Sequence, residues 1–343
     1  MATDPFARYA KQTRFAPLGD AGQRRLLDSR VLLCGCGALG SVIANTLVRA
    51  GVGHVTIIDR DFLELSNLQR QVLFNERDVE NRLPKAIAAA NHLRAINSTV
   101  TVEPIVADVT ADNLPQLAAG HDLLLDGTDN FETRLLVNDY AVSESMPWVY
   151  GGVIGAEGRV MPIIAGETAC LACLMDEVPA AGETETCDSA GVLGPAVNVV
   201  ASLQALEAMK LLAGTRDAVC EGLTVVDPWD GRWRRLRVPR DPNCRACAER
   251  RFDWLEGRRG SRAVVLCGRN AVQISPPAGS PPTDLAAMRA VLAPLGEVSG
   301  NDYLLRVNYE GHDITLFADG RAIISGVEDE AQARSVWARC IGG

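Results

Sequence analysis

Nowhere in its 343 residues does the chain hold a run of about 18 apolar positions, so the sequence predicts no membrane-spanning helix. Its first residues, Met1 to Ala10, lack the basic stretch and apolar core of a secretory leader. Positive charge is also in deficit. A net charge of −9 disfavours a nucleic-acid protein built on phosphate contacts, although a small phosphate ligand needs only local positive charge. The four histidines form no pattern, and no internal repeat is present. With 47% hydrophobic and 22% charged residues, collagen-like, coiled-coil and disordered readings fall away. These absences predict a cytoplasmic globular protein with one large domain and a smaller one, and neither membrane nor nucleic acid as partner.

Ten cysteines are present, and without a leader they do not read as a disulfide framework. Two pairs stand out, Cys170-Leu-Ala-Cys173 and Cys244-Arg-Ala-Cys247. Two CxxC pairs suit a closed zinc site of four cysteines, because Zn²⁺ prefers tetrahedral thiolates. The long spacing makes such a metal a staple between distant segments, and a closed set leaves no catalytic position. A redox CxxC and four unrelated thiols are the alternatives.

The hydrophobic pattern predicts alternating strands and helices. Val31–Cys34 reads as a strand running into Gly35-Cys-Gly37-Ala38-Leu-Gly40, followed by a helix to Ala50 and a strand ending at Asp59. Further strands are expected at 100–106, 122–126 and 148–153, and helices at 84–95, 131–144 and 195–213. Residues 222–238 read as antiparallel sheet. The fold class is therefore α/β: a Rossmann-like, mainly parallel sheet with helices on both faces. Residues 175–191 look like a mobile acidic loop. A composition shift near Glu256–Ser261 marks a boundary before a small α+β domain, 262–343. In it, strands are expected at 263–274, 302–309, 312–318 and 321–325, and helices at 283–293 and 329–340. Asp319-Gly320 is its hairpin signal.

The glycine turn suits close approach of a phosphate to a helix N-terminus. Alone it points to NAD or FAD as readily as to ATP, or to a plain tight turn. The strand-end residues narrow this. Asp59 suits a ribose hydroxyl. Asp61, the block Ser66-Asn67-Leu-Gln-Arg70-Gln, Pro84-Lys85 and Asp126-Gly-Thr-Asp129-Asn130 all belong to the same predicted sheet edge. Arg70 and Lys85 suit a triphosphate. Asp129 suits Mg²⁺, which prefers oxygen ligands.

Together with the paired CxxC motifs, these segments resemble the ThiF/MoeB/HesA family, relatives of ubiquitin-activating enzymes, over about Arg8 to Glu249. The resemblance implies that ATP adenylates the C-terminal glycine of a small ubiquitin-fold sulfur carrier of ThiS or MoaD type. It implies a homodimer and a carrier ending in Gly-Gly, and sulfur would come through the chain's own cysteine or from a separate donor. The nucleotide set is then Gly35, Gly37, Ala38, Gly40, Asp59, Asp61, Asn67, Arg70, Lys85, Asp129 and Asn130, within an adenylation domain spanning 1–256. Ala38 stands where the family has a third glycine. An N-terminal arginine that can reach the partner's ATP is replaced by Lys11, with Arg14 as a nearby substitute. The family position of a covalent cysteine is Cys187. The tail is not a rhodanese domain. Its Gly342-Gly343 end reads as a helix stop rather than a carrier terminus. Trp229, Trp233 and Trp254 are expected in the core or on the carrier surface. Activation of a ubiquitin-like modifier is an alternative reading, and an NAD-dependent oxidoreductase is a weaker one, because no hydride site with a proton donor is evident.

Overall fold

The computed structural model describes residues 6–177, 190–259, 264–266, 271–274, 276, 281–327 and 329–341. The chain divides into two compact units, Met1–Arg259 and Gly260–Gly343. Among the described residues no helix is long and apolar enough to cross a membrane.

In chain order the first unit comprises α1 (Gly19–Asp28), β1 (Arg30–Cys34), α2 (Ala38–Ala50), β2 (His54–Ile58), α3 (Glu76–Glu80), α4 (Lys85–Ile96), β3 (Thr101–Ile105), α5 (Leu114–Ala118), β4 (Leu123–Asp126), α6 (Phe131–Ser143), β5 (Trp148–Ile154), β6 (Glu157–Ile163), α7 (Leu171–Leu174), α8 (Gly194–Leu212), β7 (Leu223–Asp227) and β8 (Arg232–Leu236). The eight strands form one sheet in the order β3-β2-β1-β4-β5-β6-β7-β8. The first five are parallel and the last three antiparallel. Strand order reverses between β1 and β4, and that switch point is where an open α/β sheet leaves a crevice for a ligand.

Both faces of the parallel strands are apolar, as a sheet covered on each side requires. Val31 and Leu33 turn into a core with α2, α4 and α8. Leu32 and Cys34, one residue out of step, turn into a second core with α5, α6 and the segments carrying the paired cysteines.

α1 and β6 are among the elements that escape sequence patterning, with the short helices α3, α5 and α7. α1 opens Gly-Asp-Ala-Gly and buries only Gly22, Gln23 and Leu26. β6 contains Gly158 and Pro162, residues that argue against a strand. It nonetheless pairs with β5 through a two-residue turn at Gly155, whose φ is +61°.

The second unit holds β9 (Val264–Leu266), β10 (Ala271–Ile274), α9 (Leu285–Leu292), β11 (Ser299–Gly300), β12 (Leu304–Tyr309), β13 (His312–Phe317), β14 (Ala322–Ser325) and α10 (Glu330–Ile341). Its antiparallel sheet runs β11-β12-β13-β14-β10-β9. The single strand expected at 263–274 is two, β9 and β10, paired antiparallel. Asp319-Gly320 falls in the turn between β13 and β14. Val336 and Cys340 of α10 pack into that unit's own core with Val272, Ile314 and Ile324.

A buried ion pair joins β4, β5 and α6. Arg134 Nε donates to Asp126 Oδ2 at 2.9 Å, with the side chains 8% and 2% exposed. Its Nη2 donates to Thr128 O at 2.6 Å and Gly151 O at 3.0 Å. Burial works against the guanidinium, but Asp126 holds it above its ordinary range. Arg134→Ala would leave the Asp126 carboxylate buried and unpaired. Denaturant titration is expected to show a loss of about 3–5 kcal/mol. A loss below about 1 kcal/mol, the worth of an exposed pair, would show that the pair does not hold this junction.

Candidate active site and metal site

β1 ends at Cys34, and the chain turns sharply at Gly35, whose φ of +87° suits glycine. Contact distances explain why the loop has little room for side chains. A Cβ on Gly35 would lie 2.7 Å from Gly127 O, and one on Gly40 would lie 2.1 Å from Gly35 O. The turn, the first turn of α2 and the loop after β4 therefore touch backbone to backbone. Gly37 differs. It is the N-cap of α2 with no side-chain cap, and a Cβ there would meet only Gln71 Nε2, at 3.9 Å. The helix N-terminus thus opens on free space, with Ala38 as its first residue.

Asp59, at the end of β2, is buried and points back at this turn. Its Oδ2 accepts from Cys36 N at 2.6 Å and its Oδ1 from Asp61 N at 2.7 Å. Burial raises its pKa, opposed by the Lys85 charge. Lys85 opens α4 and is 5% exposed, with Nζ 3.0 Å from Asp61 Oδ2 and its backbone N 2.8 Å from Asp61 O. Burial would neutralise that ammonium, but Asp61, then Asp59, hold its pKa above the ordinary range. Asp129 is exposed in the loop after β4, and its charge acts on Lys85, Arg60 and Arg134. The fold thus brings Gly35, Gly37, Ala38, Gly40, Asp59, Asp61, Lys85 and Asp129 to one sheet edge.

Asn67 is buried, its Oδ1 accepting from Glu64 N at 3.1 Å. Half-buried Arg70 donates to Ser66 O at 3.0 Å. Its Cα lies 3.7 Å from the point where a Gly194 Cβ would stand, so the start of α8 abuts it. Asn130 serves the local backbone. Its Oδ1 caps α6, accepting from Glu132 N at 2.8 Å and Thr133 N at 3.4 Å. Of its side chain, only the amide nitrogen is left for a ligand.

Lys11 and Arg14 lie elsewhere. Tyr9 packs against Gly51, and Gln12 Nε2 donates to Ala50 O at 2.9 Å, which pins this segment to the C-terminal end of α2. The 13-residue helix puts about 20 Å between that end and Gly37. Neither residue belongs to this chain's own turn, and both are exposed. Cys187 and most of the acidic loop lie outside the described residues. Trp254 is in the core, whereas Trp229 and Trp233 are 78% and 59% exposed and are not core residues.

Cys170, Cys173, Cys244 and Cys247 converge, with all four sulfurs within 4.8 Å of one another. The Cys170–Cys173, Cys170–Cys244 and Cys173–Cys247 separations are 3.9, 3.6 and 3.4 Å. A tetrahedral site with Zn–S bonds of about 2.3 Å has S···S edges of about 3.8 Å, so this cluster fits a metal. Hydrogen bonding from Cys170, with the Asp241 N–H 3.4 Å away, pulls the Cys173 thiol down to about 5.

One residue here goes unrecognised in the sequence, although it sits inside the second CxxC. Arg245, 3% exposed, donates to Asp139 Oδ1 and Oδ2 at 2.8 and 2.9 Å and to Asp176 Oδ1 at 2.6 Å. Asp139 also accepts from Trp254 N at 3.0 Å. The arginine ties the second cysteine pair to α6 and to the segment after the first pair. A charged residue between the two cysteines of a CxxC pair was the signal available.

The ThiF family model matches residues 9–246. A sulfur carrier protein ThiS adenylyltransferase of Bacillus subtilis is 43% identical over 98% of this chain and 99% of its own length. The protein of that name from Escherichia coli is 36% identical over 71% of this chain and 95% of its own. A SAMP-activating enzyme E1 of Haloferax volcanii is 37% identical, over 73% and 91%. Among solved structures, Escherichia coli MccB with ATP superposes with a TM-score of 0.61 at 21% identity, covering 72% of this chain and 75% of that one, a likeness of fold. The glycine turn at the switch point, the carboxylate–lysine cluster beside it and the matched span agree: the chain belongs to the ThiF family.

Proposed function

We propose that this protein uses ATP to adenylate the C-terminal glycine of a small ubiquitin-fold sulfur carrier of the ThiS type, in the cytoplasm, for sulfur transfer into the thiazole of thiamine. The observation that carries the reading is the buried Lys85 ammonium, held by Asp61 beside a glycine turn that leaves α2 uncapped. A hydride-transfer site does not call for such a cation. Phosphates do. The ThiS type is preferred to a MoaD-type carrier or a ubiquitin-like modifier because likeness to the Bacillus subtilis ThiS adenylyltransferase extends through the second unit.

In this reading the α2 N-terminus, Asn67, Arg70 and Lys85 bind the phosphates. Asp59 accepts from ribose hydroxyls with the lone pairs its two backbone bonds leave. Asp129 would hold Mg²⁺, which neutralises phosphate charge when bound, and the Asn130 amide nitrogen beside it can donate to a nucleotide oxygen. The carrier carboxylate attacks the α-phosphorus, the bond to the bridging oxygen breaks, and pyrophosphate leaves with that electron pair. A carboxylate is already ionised, so no general base is needed, and the residues act by positioning and charge. Lys11 and Arg14, at the far end of α2, serve the ATP of a second copy in a homodimer. Exposed Trp229 and Trp233 form part of the carrier's landing surface. Zn²⁺ on Cys170, Cys173, Cys244 and Cys247 would be structural, a closed thiolate set that staples the segments around the two pairs.

Carrier-dependent exchange of pyrophosphate into ATP tests the site. Arg70→Ala and Lys85→Ala are each expected to lower it about a hundredfold or more while the far-ultraviolet circular dichroism stays unchanged. Wild-type exchange in either variant would remove that residue from the phosphate site.

Elemental analysis of protein purified without chelator is expected to find one zinc per chain. Cys173→Ser or Cys247→Ser should lose the metal and unfold at lower temperature, because metal binding is linked to folding. Metal-free wild type would rule the staple out.

Cys187→Ala separates adenylation from sulfur transfer. If Cys187 is the acceptor, the variant keeps pyrophosphate exchange and loses any thiol-sensitive covalent adduct with the carrier. Full sulfur transfer by the variant would make a separate donor sufficient.

A further inference from the structure

Three of the four residues between β4 and α6 are bonded to what lies behind them. Gly127 N donates to Cys34 O at 2.8 Å, and Thr128 N and Oγ1 donate to Asp126 Oδ1 at 2.9 and 2.8 Å. Asn130 is committed to capping α6. Asp129 stands among them exposed, its carboxylate taken by none of these bonds. Its charge is nonetheless felt by Lys85, Arg60 and Arg134. A carboxylate left over on an otherwise tethered loop fits a hard, oxygen-seeking cation such as Mg²⁺.

Arg134, one turn into α6, holds the backbone on the near side of Asp129. Its Nη2 donates to Thr128 O at 2.6 Å. That oxygen and the Asp129 N belong to one planar peptide unit, so the bond fixes the direction in which the chain enters Asp129. The same Nη2 donates to Gly151 O at 3.0 Å, while Nε faces Asp126 Oδ2 at 2.9 Å. The guanidinium carbon lies 5.4 Å from the centres of both the Phe131 and Tyr150 rings, and the residue is buried. The ion pair with Asp126 needs only a positive charge. A planar fork that also reaches a loop carbonyl does more than the pair requires.

We infer that Arg134 is a positioning residue for the metal: by holding the Thr128–Asp129 peptide unit it fixes the Asp129 carboxylate for Mg²⁺. The inference rests on the reading of Asp129 given above. Arg134 is buried behind the loop and acts through Asp129 rather than on the metal, as partners beyond the ligating atoms do in metal sites.

Arg134→Lys separates the two jobs. A lysine ammonium can still face Asp126, but it is a single point and cannot also clamp Thr128 O and Gly151 O as the fork does. Two Mg²⁺ titrations are compared in wild type, Arg134→Lys, Asp129→Asn and the double variant. One reads carrier-dependent pyrophosphate exchange, the other the rise in unfolding temperature that Mg²⁺ produces in the presence of ATP. Arg134→Lys is expected to raise the half-saturating Mg²⁺ concentration about tenfold or more in both. Added to Asp129→Asn it should cost nothing further, because the carboxylate it positions is gone. Thr128→Gly loosens the same peptide unit while leaving the buried pair in place, and should shift both titrations in the same direction by less. Wild-type Mg²⁺ dependence in Arg134→Lys, or in Thr128→Gly should the lysine variant not fold, would overturn the proposal and leave a structural ion pair. A double variant showing the product of the two single shifts would overturn it as well, since the two residues would then act independently. Wild-type Mg²⁺ dependence in Asp129→Asn would overturn the reading of Asp129 itself, and the proposal with it.

Discussion

At the switch point of the large sheet, three stretches of backbone meet with no side chain between them: the turn after β1, the first turn of α2 and the loop after β4. Gly35, Gly40 and Gly127 are each within clashing distance of another's carbonyl if given a Cβ. This contact sets where α2 begins, and hence where its free N–H groups point. It also brings the loop bearing Asp129 against the turn that Asp59 caps from the side of β2. A methyl group at these glycines would force the helix off the sheet, and every other group in the site takes its position from that approach. Gly37 is the exception that shows the purpose, since the space beside it is left open.

The site's charges are arranged before any ligand arrives. Asp59 is spent on two backbone N–H groups, which stiffens the turn, and Asp61 holds Lys85 by both side chain and backbone. Burial works to discharge both Asp59 and Lys85, and each opposes that pressure on the other. Ions fixed in a poorly hydrated cleft need little rearrangement when a polyanion enters, which is the form electrostatic preorganisation takes in proteins.

The opposite face of the sheet is organised around sulfur and one arginine. The cysteine cluster joins segments 74 residues apart, and Arg245 reaches from within it to Asp139 in the middle of α6. α6 starts at the Asn130 cap beside Asp129, so the helix that follows the Asp129 loop also carries the anchor of the cysteine cluster. Stability of the cluster and geometry of the loop are thus coupled through one helix.

How much was legible follows from how local each signal is. The alternation of strands and helices, the glycine turn, the acid at the end of β2 and both CxxC pairs are legible from the chain alone, because periodicity and short spacing are properties of neighbouring residues. The same locality made the Asp319-Gly320 turn readable and left β6 unread, since Gly158 and Pro162 oppose a strand until β5 and β7 pair with it. Packing settled the rest. It turned Asn130 into a helix cap, put Lys11 and Arg14 at the far end of α2, and left Trp229 and Trp233 in solvent. It buried Arg134 and Arg245 against Asp126 and Asp139. Each of these depends on which distant segment lies alongside, and burial, which changes what a charge or an amide costs, exists only once those segments have packed.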